Sequence, residues 1–218
     1  MKTKQYAVIG LGVFGASLAK SLAESNCEVI AIDRDSTKVE EVADYVTLAV
    51  TADVTEPGVM KNLGISKMDA VIIAIGRDME ASVLATVLAK EEGVPVVLNK
   101  AVSEIHAKIL KKVGSDRVVF PEKDMGVDVA KRLISSHLVE LFEISPDYSM
   151  IEVKLPKIWI GKNLYDLNIR KEFHVNVIGL KRQEVLKLNL SARENFEEED
   201  ILIMIGENHR LDKILQLG

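Results

Sequence analysis

Six residues near the start of the chain, Gly10-Leu11-Gly12-Val13-Phe14-Gly15, have the spacing of a phosphate cradle. A lone G-x-G-x-x-G occurs in many unrelated turns. Here it follows the apolar run Tyr6 to Ile9 and opens a stretch with helical periodicity. Gly10 allows the tight turn, Gly12 lets backbone approach a phosphate, and Gly15 lets helix and strand pack closely. The free N–H groups and positive end of the helix then hold the anion. Asp33 ends the next apolar run about 20 residues on, where a carboxylate accepts hydrogen bonds from ribose hydroxyls. It disfavours a 2′-phosphate, and so NADP, despite the adjacent Arg34. It does not separate NAD from ATP, ADP or AMP, which all carry free ribose hydroxyls. Arg34 has two readings, a guanidinium stacked on adenine or a solvated surface side chain.

Three further groups belong to the same edge. Thr51-Ala52-Asp53 follows a third apolar run, and Asp53 is either a wall of the adenine pocket or a turn acid. Ala74-Ile75-Gly76 ends a fourth, where Gly76 lets a ligand lie close to backbone. Lys100 ends a fifth and reaches towards a phosphate. Catalytic constellations are missing. His106, His137, His174 and His209 lack metal-ligand spacing, there is no G-x-S-x-G elbow, and Cys27 has no evident base. The expectation is a binding protein with no catalytic residues.

These groups need elements to position them. Strands are expected at Tyr6–Ile9, Glu28–Asp33, Val46–Val50, Ala70–Ile75, Val96–Leu98 and Arg117–Phe120. Between them run helices from Val13 to Ser25, from an N-cap at Ser36 through Ala43, through Met60 and Leu63, from Asp78 to Glu92 and from Ser103 to Val113. Gly64, Gly93 and Gly114 close three of them. This alternation predicts an α/β fold, a Rossmann-like doubly wound parallel sheet. Pro121 then opens a helix to about His137, with an apolar face that packs either on its own sheet or on a second subunit. After Glu143 the rhythm stops. Short strands at Met150–Leu155, Val175–Leu180, Val185–Leu188 and Ile201–Ile205, with a helix from Asn208 to Leu217, predict a small α+β domain. Ser145-Pro146-Asp147 reads as the joint. The expected division is 1–137, including the helix 122–137, a linker at 138–146, and a small domain at 147–218.

Composition narrows the function classes. The chain has 218 residues, 48% of them apolar, and a net charge of −5. A mildly acidic chain lacks the basic surface that displaces counterions from nucleic acid, so no nucleic-acid partner is expected. One cysteine excludes an intrachain disulfide. Met1-Lys2-Thr3-Lys4 runs straight into a strand, which predicts no signal peptide, and the apolar runs are too short to span a bilayer.

At this point the chain resembles the regulator-of-potassium-conductance (RCK) family, in particular the cytosolic Ktr/Trk-type subunits of bacterial potassium uptake systems. The likeness rests on YAVIGLGVFGASLAKSL, VIAIDRD, VIIAIG and DRVVFPEKDMG, then on GKNLYDLNIRKEFHVNVIGLKR and EEEDILIMIG. Other Rossmann proteins lack the second half. The resemblance implies a cytoplasmic regulatory subunit, peripheral on the inner face of the cell membrane through its partner. It implies pairing with itself or a homologous subunit through about Glu122 to His137, octameric rings, and docking on a membrane-embedded potassium-translocating subunit. An adenine nucleotide (ADP, ATP, AMP or NAD(H)) in the Gly10–Gly15 cleft would gate transport. Glu122 matches a family acid near the phosphates at the dimer interface, where Mg2+ or another divalent cation can sit. The residues alone favour a plain helix-dipole partner there. Close relatives often carry arginine where this chain has Val13, a departure that leaves room for ADP, AMP or NAD(H), or for a second subunit supplying the arginine. The alternative is an NAD-dependent oxidoreductase with a small C-terminal domain, which would require a general acid or base that the second half does not display.

Overall fold

The computed structural model describes residues 3–134, 137–183 and 185–217. The chain forms two compact units, Met1–Glu122 and Lys123–Gly218.

In the first unit the strands are β1 (Gln5–Ile9), β2 (Glu28–Asp33), β3 (Leu48–Thr51), β4 (Ala70–Ile73), β5 (Val97–Lys100) and β6 (Arg117–Val119). All pair in parallel, in the order β3-β2-β1-β4-β5-β6. Helices α1 (Val13–Glu24), α2 (Ser36–Ala43), α3 (Val59–Asn62), α4 (Met79–Glu91) and α5 (Glu104–Lys112) connect them. The strands read as continuous apolar runs because both faces are covered. Alternate residues go to opposite faces. Ile9, Ile32, Ile73 and Val97 pack with Ala85 and Ala89 of α4. Val8, Val29, Ala31 and Ile72 pack with Ala19 of α1 and with Val39 and Val42 of α2. The doubly wound sheet expected from the sequence is the one observed. Its strand order reverses between β1 and β4, the switch point where such sheets bind ligands.

In the first unit, side-chain caps set three helix starts. Asp35, rather than Ser36, caps α2 and accepts from Thr37 N at 3.1 Å. Ser36 cannot be the cap because it is already the first helical residue. Asp78 and Ser103 cap α4 and α5, accepting from Ala81 N and His106 N. A buried polar set lies in the same region. Asn99 Nδ2 donates to Thr86 Oγ1 at 2.8 Å, and Thr86 donates to Ser82 O at 2.7 Å. His106 is fully buried, and neither ring nitrogen meets a hydrogen-bond partner among the described residues.

Pro121 opens α6 (Pro121–Ile134), most of which falls in the second unit. Of the expected span to His137, Ser135 and Ser136 lie outside the described residues. The second unit carries β7 (Leu138–Ser145), β8 (Tyr148–Lys154), α7 (Leu164–Leu167), α8 (Ile169–Glu172), β9 (Asn176–Arg182), β10 (Val185–Lys187), β11 (Ile201–Glu207) and α9 (Asn208–Leu215). Its antiparallel sheet has the order β10-β9-β11-β8-β7. The expected linker at 138–146 is therefore mostly strand β7, paired with β8. Ser145-Pro146-Asp147 is the turn between those two strands, with Tyr148 N donating to Ser145 Oγ at 3.2 Å. The sequence misled because Leu138–Ser145 mixes apolar and acidic residues without a clean alternation.

The core of this unit includes Trp159 packed edge-on to Phe173, with Ile151, Val153, Leu180, Leu202 and Met204. One ion cluster ties an irregular segment to the sheet. Arg182 on β9 donates from Nε and Nη2 to both oxygens of Asp200 at 2.7 Å, and from Nη1 to Glu197 at 2.6 Å. The Asp200 side chain is wholly buried. Burial alone would raise its carboxyl; the bonds from Arg182 and from Glu197 N outweigh that and hold it below the usual carboxylate range.

Candidate functional site

The cleft begins where β1 stops. Gly10 sits at φ +91°, a conformation that side chains resist, and its N–H donates to Ile32 O at 2.8 Å. A Cβ on Gly10 would also stand 3.0 Å from the Ala74 carbonyl carbon. The turn therefore needs glycine for both shape and space. Helix α1 then starts at Val13 with Gly12 as its N-cap and no side-chain cap. Its first amide hydrogens have no partner in the helix, which leaves them for an anion.

A cavity of about 650 Å³ opens at this edge. Gly10, Gly12 and Val13 form one wall. Asp33 at the end of β2 forms the back, 9% exposed. Its Oδ2 accepts from Leu11 N at 2.7 Å and its Oδ1 from Asp35 N at 2.9 Å. A carboxylate offers about four lone-pair positions, so both oxygens keep room for a ribose hydroxyl. Lys38 stands 3.8 Å from Oδ2.

The rim is charged. Arg34 is largely exposed and pairs with Asp78 at 3.5 Å. That pairing sets the guanidinium at the cavity mouth beside the start of α4. Asp53 lines the cavity but is also a turn acid, accepting from Thr55 Oγ1 at 2.6 Å and Thr55 N at 2.9 Å. Those bonds, the hydroxyl first, lower its carboxyl from the ordinary value. Ala52, Ala74, Ile75 and Gly76 complete the apolar and backbone part of the wall.

Lys100, at the end of β5, lines the cavity and is ion-paired with Glu122, the second residue of α6. Its ammonium lies 6.0 Å from the Phe14 ring centroid on α1. The hydrogen bond from Lys100, with one from its own backbone, lowers the Glu122 carboxyl from the usual range. Among the described residues, no three of His, Cys, Asp and Glu gather in a way that could hold a metal ion. A single carboxylate already held by an ammonium is a poor donor set for a divalent cation. The metal assignment of Glu122 therefore finds no support within one chain.

Of the residues singled out by sequence, Leu11, Phe14, Gly15 and Thr51 do not form the cavity wall. Leu11 acts through its N–H on Asp33. Gly15 is packed against the Gly10 turn. Thr51 is the last residue of β3, paired with Asp33. The sequence reading missed Lys38, Thr55, Arg77 and Asp78, all of which line the cavity. Asp78 had a usable signal, an acid just before a helical run. Lys38 and Arg77 had none, since only the chain crossover brings them to this edge.

Two family models match the chain, the TrkA-N domain over residues 6–121 and the TrkA-C domain over residues 149–217. Among curated proteins the chain is 40% identical over 203 residues to Ktr system potassium uptake protein C of Bacillus subtilis (strain 168), covering 93% of this chain and 92% of that protein. It is 37% identical over 212 residues to Ktr system potassium uptake protein A of the same organism, covering 97% and 95%. Among solved structures it is similar to the GsuK channel bound to NAD, with a TM-score of 0.67 and 14% identity over 99% of this chain. The chain spans 39% of the length of that channel chain, and at this identity the likeness is one of fold.

Proposed function

The chain belongs to the family built from TrkA-N and TrkA-C domains, together with the Ktr system potassium uptake proteins, and from that footing we propose that it is a cytosolic, nucleotide-binding regulatory subunit of a bacterial potassium uptake system. The observation that carries the ligand is the cleft itself. A glycine turn and an uncapped helix start face a cavity backed by Asp33, with Lys100 at its rim. This combination suits an adenine nucleotide with free ribose hydroxyls, bound through Gly10, Gly12, Val13, Asp33, Arg34, Ala52, Asp53, Ala74–Gly76 and Lys100. The ligand acts as a signal rather than as a substrate. It shifts the protein between states only through a difference in affinity for them.

The partners follow from the same reading. One is a membrane-embedded subunit that moves potassium. The other is a second copy or a homologous subunit, and dimers assemble further into a ring. Helix α6 supports the pairing, because it exposes Met125, Val127, Val129 and Leu133. A helix face of that kind is buried in most stable proteins. In this reading α6, which starts in the first unit and continues in the second, is the crossover between copies.

The test has three parts. Calorimetry with ATP, ADP, AMP, NAD and NADH should show binding without consumption. Light scattering should show a particle larger than a dimer. Potassium flux into vesicles carrying the membrane subunit should change with the nucleotide supplied. Steady turnover of the nucleotide, or flux indifferent to it, would overturn the proposal.

A further inference from the structure

The Lys100–Glu122 pair lines the same cavity as the glycine turn. The Lys100 side chain is only 13% exposed and lies over Gly76, where an added Cβ would stand 3.5 Å from its Cε and 3.7 Å from its Nζ. Its ammonium is therefore held at the cavity wall, near the first turn of α1. Glu122 is 69% exposed and opens α6 directly after Pro121. One buried stem thus presents one ammonium to two anions, a carboxylate of its own chain and whatever phosphate enters the cleft.

We propose that this pair is a latch, in which Glu122 and the terminal phosphate of a nucleoside diphosphate compete for the one Lys100 ammonium. The inference rests on the nucleotide-binding reading above and deepens it, by naming the contact that senses the phosphate chain. Three arguments support the competition. The wall fixes the lysine stem, so the ammonium cannot follow Glu122 away from the cleft. The carboxylate is the solvated member and can leave at small cost, since exposed pairs are weak. A phosphate carries more charge than a carboxylate and adds the amide hydrogens of α1 as co-ligands. A nucleoside without phosphates leaves the pair closed.

The experiment measures binding of ADP and of adenosine by calorimetry, at low ionic strength with a chelator of divalent cations. It compares the wild-type chain, Glu122→Gln, Lys100→Gln and the double variant, each first checked for an unchanged melting profile. Glu122→Gln should tighten ADP roughly two- to fivefold, the worth of an exposed ion pair, and leave adenosine unchanged. Lys100→Gln should weaken ADP about tenfold, the worth of one charged hydrogen bond. In the Lys100→Gln background the Glu122 substitution should add nothing. Unchanged or weaker ADP binding by Glu122→Gln, or the same gain without Lys100, would overturn the latch while leaving the cleft intact. Failure of the wild-type chain to bind ADP at all would overturn the latch and the nucleotide reading together.

Discussion

The carbonyl oxygen of Gly10 lies 1.9 Å from the point where a Cβ on Gly15 would stand. The first and last glycines of the motif are thus in backbone contact, and neither has a flexible atom that can give way. Overpacking a core costs about 1–3 kcal/mol, and more when the neighbour is backbone. Gly15→Ala should therefore lie at or beyond the top of that range and distort the phosphate turn. Thermal unfolding and ADP titration check it. A normal melting temperature with normal affinity would show that strand and helix separate freely here.

Asp33 anchors the same turn from the other side. Asp33→Ala removes the acceptor for Leu11 N and Asp35 N and the proposed acceptor for ribose. Each orphaned, partly buried amide costs about 1–3 kcal/mol. ATP, ADP, AMP and NAD should all weaken by about tenfold or more, in parallel, because they share the ribose. Unchanged affinity for all of them in calorimetry would remove Asp33 from the site.

In the second unit, Arg182→Met should leave Asp200 buried and unpaired, at a cost of about 3–5 kcal/mol. The pH dependence has a defined sign. The Asp200 carboxyl is lowered in the folded chain, so its contribution is full above the ordinary aspartate value and is lost as pH falls through the folded value. Acid protonates Asp200 in the variant first. The gap in melting temperature between wild type and variant should shrink from pH 8 towards pH 4. A gap that stays constant would show that the guanidinium contributes by packing alone.

His106 gives the opposite kind of test. Burial lowers its pKa, so the folded chain keeps it neutral while the unfolded chain protonates it near 6.5. Stability should fall as pH drops below about 6.5, with a slope of up to about 1.4 kcal/mol per unit from this one group. His106→Leu replaces two unpartnered nitrogens with carbon, and should match or exceed wild-type stability while removing that slope. Chemical denaturation between pH 7.5 and 5.5 decides it. An unchanged slope in the variant would assign the effect to other groups.

What the sequence disclosed follows from how local each signal is. The glycine turn, Asp33 and the apolar strands are short-range patterns, so the first unit is legible as a doubly wound parallel sheet, while its strand order comes from the structure. Lys38, Arg77 and the Arg34–Asp78 pair depend on which crossovers meet at the edge, and no spacing encodes that. Strand β7 was read as a linker because its residues lack strict alternation and Pro146 looks like a break. Only pairing with β8 makes it a strand. Lys100 and Glu122 were each noticed, but as separate contributors. Their mutual contact needed coordinates.

The two hydrogen bonds that Asp33 accepts, from Leu11 N and Asp35 N, staple the glycine turn and the entry to α2 to a single carboxylate. The loops around that carboxylate are thus tied together by the chain's own bonds, and one substitution there loosens both.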